Sequence, residues 1–386
     1  MTKLNNFDVI VAYNQSIATS PSDSSPKEST PFAPNSRNQA YNEVYAYFLQ
    51  TCEACNLKAA FTTSADIVGP GYFRSFWTFV NHQWTKFDHP CYSNLIFDKF
   101  SPTNQLIKSK RQQLFSNPAI IPFNNPILFD LFFDKQKTFD TLPLYTIPTV
   151  SIVKNTTASV TSAVKSLKKL ISKHHQSQDF NQKVVLKDRY GAGGQRVYQF
   201  TFTQIPQIIA AVSRHPEISF IIQPLVKFDQ GFIYQKISAP TDIRLIYLNG
   251  EIVQSYIRIA KKGEFRCNEH LGGSLIYVAS NQIPKKLISI SNKIIKSLSD
   301  KSSLFALDFI VSNRGHVYLL EGNTSPGLDW NLQNPLNEIE AKKLIKLIVK
   351  DLVIRTLPST SSTPNTISPY LPYRRASSDL SFTNRA

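Results

Sequence analysis

The strongest constraint on the fold lies toward the C-terminal end, in "LFALDFIVSNRGHVYLLEGN", residues 304–323. Two apolar runs flank a short polar stretch that contains a glycine, which is the pattern of a largely buried β-hairpin. With Arg314-Gly315 as a two-residue turn, Asn313 pairs with His316, and counting outward puts Asp308 directly opposite Glu321. Opposed side chains in a ladder have Cβ atoms about 4.5–5.5 Å apart, and like charges there repel. Asn323 lies two residues beyond Glu321 and shares its face. Three oxygen-bearing side chains therefore converge within otherwise apolar strands, which is costly unless a hard cation neutralises them. Mg2+ meets that need with a few carboxylate oxygens, waters and substrate phosphates. The bland alternative is an edge hairpin with solvated acids, and the apolar flanks speak against it.

A second stretch, "VVLKDRYGAGGQRVYQF" (184–200), runs from one strand through Gly191, Gly193 and Gly194 into another. A Walker loop places its lysine after the glycines and opens a helix. Here Lys187 precedes them and a strand follows. A dinucleotide fingerprint also needs a following helix. What remains is a hairpin flap whose glycine N–H groups bend over phosphates beside the fixed charge of Lys187, with a plain β-turn as the alternative. A third stretch, "YIRIAKKGEFRCNEHLGGS" (256–274), sets Arg258, Arg266 and Asn268 ahead of a glycine pair. Cations and amide donors in that setting suit a phosphoryl group or a substrate carboxylate, and a basic surface loop is the other reading.

Around these motifs the chain alternates strands and helices. "FDVIVAYN" opens with a buried strand, and the polar, proline-rich 15–39 segment reads as a mobile loop. A helix near 40–56, a strand near 58–63, a hairpin in "SFWTFVNHQWTKF" and a strand at 94–100 complete a small α/β N-terminal domain, 1–115. From 116 the pattern changes. A helical stretch surrounds Lys135, "IPTVSIV" reads as a strand, and "DIRLIYLNGEIVQSYIRIA" is a hairpin turning at Asn249-Gly250. This second domain spans 116–356, with a flap subdomain over 135–226 and a metal-binding subdomain over 227–356. The Pro/Ser/Thr-rich tail, 357–386, reads as disordered.

Composition narrows the function classes. The 43 basic and 27 acidic residues give a net charge of +16, but the basic residues are scattered and no nucleic-acid motif accompanies them, so nucleic acid is not the expected partner. No run approaches the about 20 apolar residues of a membrane span, and no secretory signal is visible. Cys52 and Cys55 have redox or zinc spacing, but a second pair is missing and their segment reads as a helix. The expectation is a reduced, cytoplasmic protein.

The three motifs, in this order and spacing, resemble the ATP-grasp superfamily, most nearly the branch holding glutathione synthetase and the ribosomal-protein glutamate ligases. "GEFRCNEHLGGS" is similar to that branch's segment after its arginine strand, "LDFI" with "LLEGNTSPGL" to its metal-binding hairpin, and "DKQKT" (134–138) to the segment carrying its first ATP lysine. The likeness covers 120–356 and is tightest over 242–328. It implies an α/β chain with an ATP-grasp fold, two α+β subdomains gripping ATP, preceded by the small N-terminal domain. It further implies that Lys135 and Lys187 hold the α- and β-phosphates and that Gly191, Gly193 and Gly194 form the flap. "QPLV", from Gln223 through Leu225 to Val226, would meet adenine, and Asp242 would sit near the ribose. Arg258 would contact the γ-phosphate and Asn268 the transferred phosphoryl group, making Lys187, Arg258 and Asn268 the catalytic set. Asp308, Glu321 and Asn323 would bind two Mg2+ ions, or Mn2+ in their place.

The chain departs from the family where an acidic residue usually follows the first strand of the adenine connection; Pro224 and Leu225 stand there. The implied activity is an ADP-forming carboxylate–amine (or thiol) ligase working through an acylphosphate, on a small molecule or on a peptide. A non-catalytic ATP-binding module of a surface or coat-associated protein is the alternative. A homo-oligomer is compatible with either.

Overall fold

The computed structural model describes residues 4–23, 29–102, 104–191, 193–269, 272–298, 301–331 and 334–357. The expected disordered tail from 358 onward, and part of the 15–39 loop, lie outside the described residues.

The N-terminal part is built on a six-stranded sheet. Its centre is β1 (Val9–Tyr13), whose unbroken apolar run suits a strand covered on both faces. Helix α1 (Tyr41–Ala54) leads to β2 (Ala59–Thr63), parallel to β1. Next come β3 (Phe76–Val80) and β4 (Gln83–Phe87), joined as the expected hairpin by Asn81 and His82, at φ 51° and 61°. β5 (Leu95–Lys99) returns to the other side of β1, again parallel. After α2 (Gln105–Leu114), the short β6 (Ile121–Pro122) adds beyond β5.

The helical stretch around Lys135 is two helices rather than one: α3 (Pro126–Phe133) and α4 (Lys135–Thr141). Asp134 breaks them. Its backbone is extended, and its side chain caps α4 by accepting from Gln136 N and Lys137 N.

A four-stranded antiparallel sheet follows, in the order β7 (Val150–Ser151), β10 (Phe220–Val226), β8 (Phe180–Asp188), β9 (Val197–Thr201). Helices α5 (Thr157–Ser172) and α6 (Ile205–Ser213) cover one face. Val184 and Leu186 pack under those helices, while Val185 and Lys187, alternating with them, face the opposite side. This alternation is what carries a lysine into a cleft.

The last sheet has five antiparallel strands, in the order β13 (Ser274–Tyr277), β12 (Glu251–Ile259), β11 (Thr241–Leu248), β14 (Leu304–Val311), β15 (Val317–Asn323). Helix α7 (Lys285–Ser297) buries Leu287 and Ile294 against Ile243, Leu245, Ile257 and Leu307 on one face. The other face is apolar at one end, where Ile246, Leu304 and Ala306 share a core with α8 (Pro335–Thr356), α1 and β1. The remainder of that face carries Asp242, Arg258 and Asp308. Among the described residues no helix is long and apolar enough to cross a membrane.

The β14–β15 hairpin differs from its expected turn. Ser312, not Asn313, pairs with His316: Ser312 N donates to His316 O at 2.7 Å, and Gly315 sits at φ 75°. The turn therefore holds three residues, and Val311 opposes Val317 and Phe309 opposes Leu319. A bulge at Leu320 then restores the count, so that Asp308 opposes Glu321 and Ala306 opposes Asn323.

Candidate active site

A cleft open at its mouth lies between the four-stranded and five-stranded sheets. One end is apolar: Ile147, Val185, Val226, Phe228, Ile310 and Leu320, with residues of both sheets among them, form a slot fit for a planar ring. At its edge Gln223 is buried, and its Nε2 donates to Thr149 Oγ1 at 2.6 Å. Thr149 Oγ1 in turn donates to the Ile147 carbonyl at 2.8 Å. The hydroxyl proton is thereby committed, so the hydroxyl can only accept from Gln223, which fixes the amide's orientation.

The opposite end is charged. Lys187 is 7% exposed, and burial, reinforced by the neighbouring Lys135 cation, lowers its amine to about 8 against a countering pull from Glu321. A lysine so placed is a cation waiting for an anion. Lys135 Nζ donates to the Gly191 carbonyl at the root of the glycine loop. That loop closes the β8–β9 hairpin, with Gly193 and Gly194 at φ 68° and 72°, a backbone that side chains avoid.

Across the cleft the five-stranded sheet holds a ladder of buried charges. Arg258 donates from Nε and Nη2 to Asp242 at 2.7 and 3.0 Å, and from Nη2 to Asp308 Oδ2 at 2.8 Å. Arg244, beside it, grips Asp308 through Nε and Nη2, both at 2.5 Å, and reaches Tyr256 Oη at 3.1 Å. Burial alone would raise the Asp308 carboxyl, but two guanidinium groups outweigh it and hold it down at about 2. Asp242 shares its single guanidinium with Asp308, and burial pushes its carboxyl up to about 6.

Of the residues expected from sequence, the structure brings Lys135, Lys187, Gly191, Gly194, Gln223, Leu225, Val226, Asp242, Arg258, Asn268 and Glu321 to the walls of this one cleft. Gly193, Asp308 and Asn323 do not line it. Asp308, expected to require a metal cation, is already neutralised by Arg244 and Arg258. Asn323 spends its Oδ1 on Ser325 N at 2.8 Å, bracing its own loop. Among the described residues no group of three or more His, Cys, Asp and Glu is arranged to hold a metal ion. Of the three expected metal ligands, Glu321 is the one that opens onto the cleft, carried there with Leu320 by the bulge.

Sequence reasoning missed Arg244 and the apolar slot. A signal existed for Arg244: it lies two residues from Asp242 on the same strand and therefore shares its face. Cys267, also on the cleft wall, is a buried thiol donating to the Pro240 carbonyl at 3.3 Å, and burial pushes it far above the ordinary range.

Comparison with known proteins places this cleft in a family context. Residues 132–348 match the family described as RimK-like ATP-grasp domain. A probable alpha-L-glutamate ligase of Shewanella pealeana is 30% identical over 146 residues, which are 38% of this chain and 29% of that one. A protein of the same description in Legionella pneumophila is 32% identical over 151 residues, 38% of this chain and 47% of that one. The chain thus spans under half the length of these curated relatives. Among solved structures, a D-cycloserine synthetase superposes with a TM-score of 0.58 at 12% identity, covering 92% of this chain and 100% of that one. A D-alanyl-alanine synthetase A of Vibrio cholerae gives 0.53 at 16% identity, covering 92% and 99%. At such identities the likeness is one of fold, and it agrees with the α/β, two-subdomain architecture expected from the motifs.

Proposed function

Because the chain belongs to the RimK-like ATP-grasp domain family, we propose that it is an ATP-dependent ligase joining a carboxylate to an amine, with release of ADP and phosphate. What supports this reading above all is that Lys187 from one sheet and Asp242, Arg258 and Glu321 from the other face a single cleft with an apolar slot at its end.

In this reading adenine lies in the slot, against the backbone of Gln223 to Val226, and the phosphates run toward Lys187 and Lys135 under the Gly191–Gly194 flap. The carboxylate oxygen of the substrate attacks the γ-phosphorus, the bond to the β-phosphate oxygen breaks, and ADP leaves. The amine then attacks the acyl carbon, and phosphate departs with the oxygen that came from the carboxylate. Phosphoryl transfer of this kind requires positioning and charge stabilisation rather than a protein nucleophile. Arg258, held by Asp242 and Asp308, is pre-aimed at the developing charge, and Asn268 and Arg266 lie within the same wall to receive the substrate. The flap excludes the water that would hydrolyse the acylphosphate.

Glu321 is the residue that would hold Mg2+, two ions in our reading; Asn323 joins it only by turning its Oδ1 from Ser325 N, and Asp308 only in exchange for one of its guanidinium contacts. Bound there, Mg2+ supplies charge neutralisation at the phosphoryl oxygens. The catalytic unit in this reading is 116–356, with the N-terminal 1–115 and the segment carrying Arg266 and Asn268 framing the substrates. L-glutamate, from the description of the relatives, is the first amine to test. A reducing, cytoplasmic setting suits the four cysteines, all free thiols.

The test is a coupled ADP-release assay with ATP, Mg2+ and crossed pools of carboxylates and amines. Release that requires one member of each pool supports the ligase; AMP and pyrophosphate as products would assign a different chemistry.

A further inference from the structure

Lys135 and Lys187 come from separate elements, yet both line the same cleft, and the Lys135 cation adds to the burial that lowers the Lys187 amine. Two like charges in a partly dry cleft push apart unless the framework resists. The framework here is specific. Asp134, the residue before Lys135, accepts a bidentate pair from Arg189, two residues after Lys187: Nε to Oδ1 at 2.6 Å and Nη2 to Oδ2 at 2.5 Å. The backbone repeats the link, with Lys135 N donating to the Arg189 carbonyl at 3.3 Å. On the next residues out, the Phe133 and Tyr190 rings stack with centroids 5.2 Å apart. Arg189 Nη1 also reaches Ser151 Oγ at 3.4 Å, and Ser151 Oγ donates to Gln136 Oε1 at 2.9 Å, closing a ring through α4 and β7.

We propose that the Asp134–Arg189 pair is a positioning clasp that holds the Lys135 and Lys187 ammonium groups at phosphate-binding separation before a nucleotide arrives. The inference rests on the ATP-binding reading above and adds to it the device that prepares the phosphate subsite. Each charged partner of the clasp adjoins one of the two lysines, so the opposite-charge pair offsets the repulsion of the like-charge pair. The lysines are thereby pre-organised, and the cost of gathering them does not fall on binding. The planar guanidinium fork fixes direction as well as distance, which an ammonium does not.

The test is a double-mutant cycle on the full chain, reading the affinity for MgATP and, separately, for adenosine. Asp134→Asn keeps the helix cap and removes the charge. Arg189→Gln removes the fork, and Arg189→Lys, which keeps the charge, is the milder companion should Arg189→Gln fail to fold. Each single variant is expected to bind MgATP roughly 10-fold more weakly, the scale of a charge-assisted hydrogen bond. Adenosine affinity stays unchanged, and Asp134→Asn/Arg189→Gln together bind no worse than either alone. Unchanged MgATP affinity, losses that add, or equal losses for adenosine and ATP would overturn the clasp while leaving the ligase reading intact. A wild-type protein that binds no ATP would overturn both.

Discussion

Asp308 and Glu321 stand opposite each other across the β14–β15 ladder, yet Glu321 opens onto the cleft while Asp308, fully buried, is held by two arginines. Two carboxylates on one sheet face thus have separate environments, and their substitutions should separate too.

Glu321→Gln removes the carboxylate that faces the phosphate end of the cleft. We expect Mg2+-dependent ATP turnover to fall by at least about 100-fold, the loss seen when a charged contact to the reacting group is removed. The unfolding temperature should stay close to that of the wild type, since the side chain is only partly buried. Steady-state ADP release together with a thermal melt checks both halves.

Asp308→Asn should behave in the opposite way. It leaves Arg244 and Arg258 without their shared anion, and breaking such a buried pair costs about 3–5 kcal/mol. A side chain serving a metal alone would leave the melting temperature of the metal-free protein unchanged. The acid limb carries the same signature. The native carboxyl lies at about 2, below the usual value, so its contribution is full above the ordinary aspartate range and is lost as pH falls toward 2. Urea unfolding across that window, wild type against Asp308→Asn, measures it.

Lys187 predicts a pH dependence of binding. Its amine is lowered to about 8, mainly by burial. Below that pH the ammonium is present and MgATP affinity should be flat; above it the cation is lost and affinity should decline by up to about ten-fold per pH unit. Folding stability should move the other way, rising between about 8 and the unfolded lysine value near 10.4, because there the unfolded chain binds more protons. Nucleotide titrations between pH 7 and 10 test the first sign, and denaturant melts test the second.

Gly322 lies between Glu321 and Asn323, and a Cβ there would meet the Phe132 ring at 2.2 Å. Gly322→Ala should therefore cost about 1–3 kcal/mol of stability, typical of overpacking. It should also shift Glu321 and weaken MgATP binding. Gly263→Ala, whose added Cβ meets nothing within 4 Å, separates backbone strain from packing, because only its φ of 83° is unfavourable.

The facing of Asp308 and Glu321 was readable from the turn count, but it survives through two offsets that cancel. A three-residue turn shifts the register by one, and the Leu320 bulge shifts it back. Neither was visible, because turn type depends on the backbone angle that Gly315 adopts and a bulge leaves no composition signal. The break at Asp134 had a signal, since an aspartate ahead of a helical run is a cap. The role of Arg244 had half of one. Its face followed from period two, but its partner depended on β11 lying beside β14 with Arg244 opposite Asp308. Strand order is set by long-range packing, which no single stretch of sequence reports. The apolar slot was missed for the same reason, since Ile147, Phe228 and Ile310 come from three separate segments.

The most direct test of the central claim, that a substrate carboxylate takes the γ-phosphoryl group, is isotopic. With the carboxylate found by ADP release labelled with 18O in both oxygens, one turnover should place a single 18O in the released phosphate and keep the other in the amide. Phosphate free of label would contradict the acylphosphate route and with it the function assigned to this cleft.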